Sequence, residues 1–360
     1  MRIQSISTYV LNNSQRDTIA KGQSELMQAA YELVTGQLYD PGLTLGRKTG
    51  RLVDIQNQMN FLEGFSNTNK LALSRMSSAQ AAIQSLIAAG DDETAPGALT
   101  LFNNMLVGDA ANQTPSAAQA VAENALASFI SALNTSYNGD YIFGGTNTTQ
   151  PPLNAYKVGG ESGPSKVVHD AFTTFLDGRN PEDLTAEDMD KFIDEVFSTL
   201  FDEENFSKIF SNAKDGSIEK RIGPNGETVN VAASANEKGF RDAMKNMILV
   251  AEFGDIGLSK EAQEALFAKA RNSSDQTSTT TAINEIIATA SRLGSTEARI
   301  KGATKQIEIQ TNLLKGQQID MIGVDSTEAG QRLKALEAML NLSYTLTARM
   351  SQLSLVNYLK

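Results

Sequence analysis

The chain has no cysteine and no tryptophan, and His169 is the single histidine among its 360 residues. Without cysteine there is no disulfide, no thiolate metal site and no cysteine nucleophile. One imidazole is a thin basis for a nucleophilic triad or a histidine-based metal site, which need an activated serine or further ligands beside it. His169 stands in Lys166-Val167-Val168-His169-Asp170, read as a strand or loop with nothing supporting it, so it is taken as a surface or packing residue. The acidic run from Glu182 to Glu195 lacks the alternating oxygen ligands, central glycine and closing glutamate of a calcium loop. It is read as the solvated face of a helix whose acidic start follows Pro181. Gly42, Gly46 and Gly50, with Arg47, Lys48 and Arg51 among them, lack the Gly-Lys-Ser/Thr tail of a phosphate loop, and mark close helix packing or a joint. No enzyme, cofactor or metal site is expected.

Long apolar runs are absent too. No stretch of 18 or more uncharged apolar residues occurs, so no membrane span is expected. Met1 to Asn12 does not have the apolar core and small-residue cleavage site of a secretory signal. Aromatics make up only 6%, which suits helical bundles with narrow seams better than thick globular cores. The net charge of −11 is uneven. Residues 1–90 carry 8 Lys/Arg against 6 Asp/Glu, residues 283–360 carry 9 against 7, and the stretch between carries 14 against 29. The acidic centre excludes a nucleic-acid surface there, while the near-neutral ends can pack on copies of themselves without strong repulsion.

What the chain does contain is heptads. Ile286, Leu293, Ile300, Ile307, Leu314 and Met321 fall every seventh residue. A matching seam near the start runs through Leu45, Leu52, Met59, Leu73 and Ile87, with Ile55, Leu62, Met76 and Ile83 on the neighbouring row. A sustained seven-residue apolar repeat marks a long helix packed lengthwise on another. These two helices predict a chain that folds back on itself as an antiparallel helical rod, with Ser66, Asn69 and Gln80 as polar seam positions that fix register and partner.

Outside the two strong seams lie weaker ones. Ile6, Val10, Ile19, Leu26 and Leu33 dot a helix over residues 1–40, broken at Thr35-Gly36 and Asp40-Pro41-Gly42. Leu336, Met339, Leu346, Met350 and Leu353 mark a last helix after Gly323-Val324-Asp325. Stripes this sparse bury little apolar area, so these segments are expected to be poorly ordered in a single chain and to pair between subunits. An ordinary hairpin within one chain is the alternative. Between the rod helices, a helix over Pro115–Thr135 leads into the strand-like Tyr141-Ile142-Phe143 and Gly144-Gly145. From residue 153 to 245, Thr228-Val229-Asn230-Val231 and the turn Gly223-Pro224-Asn225-Gly226 suggest hairpins around a helical patch from Met189 to Leu200. The expected layout is nested: terminal helices 1–42 plus 325–360, a helical rod domain 43–150 plus 246–324, and a small inserted α/β domain 151–245. The fold class is mainly α.

Near the start stand Ser7-Thr8-Tyr9, Ser14-Gln15-Arg16 and Glu32-Leu33-Val34-Thr35-Gly36. In the middle stand Tyr141-Ile142-Phe143-Gly144-Gly145 with Pro151-Pro152, Arg221-Ile222-Gly223 through Val231, and Ser234-Ala235-Asn236. Near the end stand Asp325-Ser326-Thr327-Glu328-Ala329, then Leu333, Leu336 and Leu340, closing on Leu353-Ser354-Leu355-Val356-Asn357-Tyr358-Leu359. In this order along the chain the residues resemble those of flagellin-type axial proteins, and within them the branch that joins hook to filament. Tyr39-Asp40-Pro41-Gly42 departs from the paired Asp usual at the first joint. The resemblance implies an extracellular structural subunit of the bacterial flagellum, exported unfolded by the type III route without a cleaved signal peptide. Its implied partners are copies of itself in a ring, an adjacent hook-associated protein, flagellin and an export chaperone. A filament flagellin is the competing implication; an adhesin or host-contact module displayed by the middle domain is a hypothesis of a different class, not drawn from the resemblance.

Overall fold

A computed structural model of the chain describes residues 8–90, 95–107, 114–271 and 278–358. Ile6 lies outside them, as does the rest of the segment 1–7. The fold is mainly α. Two compact units divide the chain, one of residues 1–64 with 307–360, the other of residues 65–306.

The first unit begins with α1 (Thr8–Thr35), ended by Gly36 at φ 67°, a left-handed conformation that glycine adopts without strain. Asp40 then caps a short α2 (Pro41–Leu45), its Oδ1 accepting from the Leu43 N–H at 2.9 Å, with Pro41 at the first helical position. Gly46, at φ 53°, stops α2, and a 3-10 turn over Gly46–Lys48 precedes the long α3 (Thr49–Ile87). Leu45 therefore sits on α2, not on the long helix that the heptads predicted from residue 43. The unit closes with the end of α11 (Thr279–Ile322) and with α12 (Ser326–Tyr358). Asp325 caps α12, accepting from the Thr327 N–H at 2.7 Å, and these hydrogen bonds hold its carboxyl below the usual aspartate range.

The larger unit takes most of α3, then α4 (Ala98–Val107), α5 (Pro115–Leu133), β1 (Ser136–Tyr137) and β2 (Asp140–Tyr141). Asn138 and Gly139, both at positive φ, make the tight turn that joins the two strands. Next come α6 (Gly163–Leu176), α7 (Ala186–Lys191), a π-helical turn over Phe192–Phe197 and α8 (Glu203–Ile209). The antiparallel ribbon β3 (Glu219–Arg221) and β4 (Thr228–Asn230) follows, then α9 (Lys238–Phe253), α10 (Lys260–Arg271) and the first part of α11. The inserted region is thus largely helical, its sheet content being the single β3–β4 ribbon. His169 lies on α6, not on a strand or loop. The β-branched pair Val167-Val168 suggested extension, whereas Val168 and Phe172, one helical turn apart, are both buried.

The core of this unit is thicker than the low aromatic content suggested, because the phenylalanines are concentrated. Phe172, Phe192, Phe197, Phe201, Phe206, Phe210 and Phe253 form one packed group; the ring centroids of Phe172 and Phe253 are 4.7 Å apart, and those of Phe192 and Phe253 are 5.4 Å apart. Helix α9 is buried along nearly its whole length against α5 and α10. Along the heptads, Met76, Ile83, Ile286, Leu293 and Ile300 are buried and Leu73 is half-buried. In the other unit Ile55, Leu62 and Ile307 are buried, while Leu45, Leu52, Met59 and Leu314 are half-buried.

Two of the polar seam residues make specific bonds. Asn69 is fully buried; its Nδ2 donates to the Ile222 carbonyl at 2.9 Å and to Thr304 Oγ1 at 3.3 Å. Gln80 donates to the Ala290 carbonyl at 2.7 Å, beside Gly294, whose missing side chain leaves room for the amide. Asn69 thereby ties α3 to α11 and to the ribbon at once.

Candidate assembly interface

Within the terminal unit, α1 and α12 pack against each other, and their contacts define an antiparallel heptad pairing. Ile19, Leu26 and Leu33 occupy the a positions of α1 and Gln15, Gly22 and Ala29 its d positions. On α12 the a positions are Leu333, Leu340 and Thr347, and the d positions Ala329, Leu336 and Ser343. Ala29, Ala329 and Leu340 are buried, and Ile19, Leu26, Leu33, Leu333 and Leu336 are half-buried. Small residues let the helices approach closely: a Cβ on Gly22 would stand 2.9 Å from Leu340 Cδ2. Toward the far end of the hairpin the seam turns polar, where Thr347 lies 3.5 Å from Gln15 Oε1.

The flanking positions fix the register. In an antiparallel pair, e faces e along one side and g faces g along the other. Gln23 and Tyr344, both e, are joined by a 2.7 Å bond from the Gln23 amide to the Tyr344 hydroxyl. Glu32 and Arg332, both g, form an ion pair at 3.3 Å in which the glutamate side chain is only 10% exposed. Glu32 also accepts from the Tyr39 N–H at 3.2 Å. At the base of the hairpin, the Leu38 N–H donates to the Ile322 carbonyl and the Val324 N–H to the Gly36 carbonyl, at 2.8 and 2.9 Å. The two glycine joints seen in the sequence thus meet each other.

Within one chain, these contacts differ from the expected pairing in two respects. The α1–α12 seam is completed inside one chain, because glycine and alanine at d positions supply close contact that apolar counting overlooks. And three of the residues chosen as partners across the seam are on the outside of it. Val10, Met339 and Leu346 are 57%, 50% and 54% exposed. Met339 and Leu346 hold g positions, and the seam partners are Leu333, Leu336 and Leu340. Met350 falls in register with the d row and Leu353 with the g row, but their side chains, like Ile6, lie outside the described residues. A complementary heptad on α12 starting at Ala329 is the signal that places Leu333 and Leu340, already among the residues of the resemblance, in the seam.

His169 does have a partner. Its Nε2 lies 2.8 Å from Oε2 of Glu252, whose side chain is 1% exposed. The same carboxylate accepts from the Tyr156 hydroxyl at 2.8 Å, the Ser165 hydroxyl at 2.9 Å and the Gly159 N–H at 3.1 Å. Burial and the adjacent carboxylate push the Tyr156 hydroxyl far above the ordinary tyrosine range. This is a structural clamp. Ser165 donates to the glutamate, so the imidazole is not positioned to activate it.

Comparison with known families matches the bacterial flagellin N-terminal helical region over residues 6–148 and the bacterial flagellin C-terminal helical region over residues 277–359. Among curated proteins no match was found. The chain belongs to the flagellin family of axial proteins. It is accordingly a structural, non-enzymatic component of the extracellular flagellum. Among the described residues no helix is long and apolar enough to cross a membrane.

Proposed function

We propose that this chain is the adaptor subunit that joins hook to filament, assembling with copies of itself into a ring. The observation that supports a polymer-building role is where apolar side chains stay exposed. Among the described residues, twenty large hydrophobic side chains are exposed, and only Leu71, Leu101, Val107, Val167 and Ile287 of them lie in the larger unit. The other fifteen belong to the much smaller terminal unit, a density that marks surfaces destined for burial in an assembly. The adaptor role rather than the filament role rests on the resemblance of Leu353 to Leu359 to the junction branch. In this scheme residues 1–42 and 325–360 build the inner tube, 43–150 and 246–324 stiffen the subunit, and 151–245 face outward. Ile6, Val10, Met339, Leu346, Met350 and Leu353 contribute contacts between subunits, while Ile19, Leu26, Leu33 and Leu336 hold each hairpin together. The adjoining partners are a hook-associated protein on one side and flagellin on the other, after chaperoned export without a cleaved signal peptide.

A filament flagellin is the competing reading, favoured by the flagellin helical regions at both ends. Purified protein separates the two. An adaptor stays monomeric or forms short oligomers, whereas growth into micrometre-long filaments from this chain alone overturns the adaptor role.

A further inference from the structure

Asparagine is followed by glycine at two places in the chain, Asn138-Gly139 and Asn225-Gly226, and both pairs are exposed turns. Glycine in second place lets the main-chain nitrogen come close to the asparagine side chain, because no Cβ stands in the way. The two turns hold that side chain differently. Asn138 sits at φ 53° between β1 and β2, and among the described residues no partner fixes its amide. Asn225 lies in the connection from β3 to β4, where its Oδ1 accepts from the Glu227 N–H at 3.3 Å. That bond folds the amide back over its own main chain, across Gly226 N. A Cβ on Gly223 would stand 3.1 Å from the same oxygen, so Gly223 leaves it room. The Gly226 N–H is held only by a 3.4 Å bond to the Gly223 carbonyl, too long to be strong. The turn itself is braced. The Ile222 N–H donates to the Glu227 carbonyl at 2.9 Å, and Arg221 donates to the Gly223 and Pro224 carbonyls at 3.1 and 2.8 Å.

We propose that Asn225 is a site of spontaneous covalent modification, with water as the reagent. Gly226 N attacks Asn225 Cγ and a C–N bond forms. The side-chain nitrogen leaves as ammonia, taking up the proton that Gly226 N gives up. Negative charge develops on Oδ1 as the nitrogen adds, and the Glu227 N–H already donates to that atom. Water then opens the cyclic imide at either carbonyl, with no change of oxidation state. Opening at the side-chain carbonyl leaves an aspartate two residues from Glu227, which pairs with Arg299 at 2.9 Å. Opening at the main-chain carbonyl leaves isoaspartate, which adds a methylene to the main chain of the β3–β4 connection. Ile222, at the start of that connection, carries the carbonyl that Asn69 binds, so the lengthened turn adjoins the anchor of the ribbon. Asn138 is the built-in comparison, with the same dipeptide in a turn that does not hold the amide.

The test follows both asparagines in the full-length chain, kept folded or unfolded in guanidinium at one mildly alkaline pH, by digestion and mass spectrometry. In the folded chain Asn225 should convert at least about fivefold faster than Asn138, the gain expected from a held near-attack geometry. In the unfolded chain, which has lost that geometry, the two rates should agree within about twofold. Aspartate and isoaspartate should appear together at residue 225, and Asn225→Ser should abolish the conversion there while leaving Asn138 unchanged. Equal rates in the folded chain, or a faster Asn138, would overturn the proposal. So would the same bias in the unfolded chain, which would assign it to local sequence, and so would aspartate without isoaspartate, which would mean direct hydrolysis.

Discussion

Glu252 gives the sharpest prediction about what holds the larger unit together. Its two oxygens receive Tyr156, Ser165, Gly159 N–H and His169, all at 2.8 to 3.1 Å, with the glutamate side chain sealed from solvent. Glu252→Gln keeps the shape but puts an N–H donor where one oxygen accepted, so two of the four donors meet a donor. Hydrogen bonds to a charged acceptor contribute about 1.5–3 kcal/mol each, and an unsatisfied buried group costs about 1–3 kcal/mol. His169 is 40% exposed and finds water, which discounts its share. The loss is about 3 kcal/mol. For a unit of this size, roughly 2–4 °C per kcal/mol translates that into a Tm lowered by about 6–12 °C. His169→Ala should cost under about 1 kcal/mol, and Tyr156→Phe about 1 kcal/mol. Calorimetry on the three variants reads this order directly. A Glu252→Gln protein within about 0.5 kcal/mol of the original, or a His169→Ala protein as damaged as it, would refute the clamp.

The seam and the outer stripe of α12 should respond differently to truncation: Leu340→Ala, at a buried site, should cost about 2–4 kcal/mol, while Leu346→Ala should stay within about 0.5 kcal/mol in the monomer. Thermal unfolding in dilute solution checks both, and equal losses contradict the heptad register assigned here. Asn69→Leu should leave overall stability within about 1 kcal/mol, because a lost hydrogen bond is offset by a better apolar seam. Hydrogen exchange of the β3–β4 amides should nonetheless quicken about tenfold or more, since the Ile222 carbonyl loses its donor on α3; unchanged ribbon protection would remove Asn69 as the anchor. The cap at Asp325 sets a pH dependence. Its folded-state pKa is depressed by the Thr327 N–H, so its stabilisation is present above the unfolded value of about 3.9 and is lost as pH falls through the lower folded value. An NMR titration should show the Thr327 amide shifting below about pH 4 with a depressed midpoint, and an unperturbed midpoint contradicts the cap.

Much of the helical frame was legible in the sequence, and the limits of that legibility are physical. The heptads from Ile286 to Leu314 stand out because apolar residues of high burial recur without competition, and α11 follows them closely. Asn69 and Gln80 were visible as breaks in the seam, but their partners were not, since Ile222 and Ala290 offer backbone carbonyls that carry no side-chain signature. The α1–α12 seam was half visible. Its a positions are Ile and Leu, but glycine and alanine at Gly22, Ala29 and Ala329 look like spacing, and Met339 and Leu346 look like core though they face outward. Helix α4 was missed because Leu99, Phe102 and Leu106 span only a short segment after Pro96-Gly97. The start of α3 was placed too early because heptad counting does not register the left-handed conformation of Gly46. Glu252, distant in sequence from Tyr156, Ser165 and His169, gave no local sign of the clamp.

The adaptor role is tested most directly by electron microscopy of cells that lack this protein. Hooks without filaments, with flagellin shed into the medium, are the predicted outcome, restored by supplying the full-length chain. Filaments of normal length still attached to their hooks would contradict it.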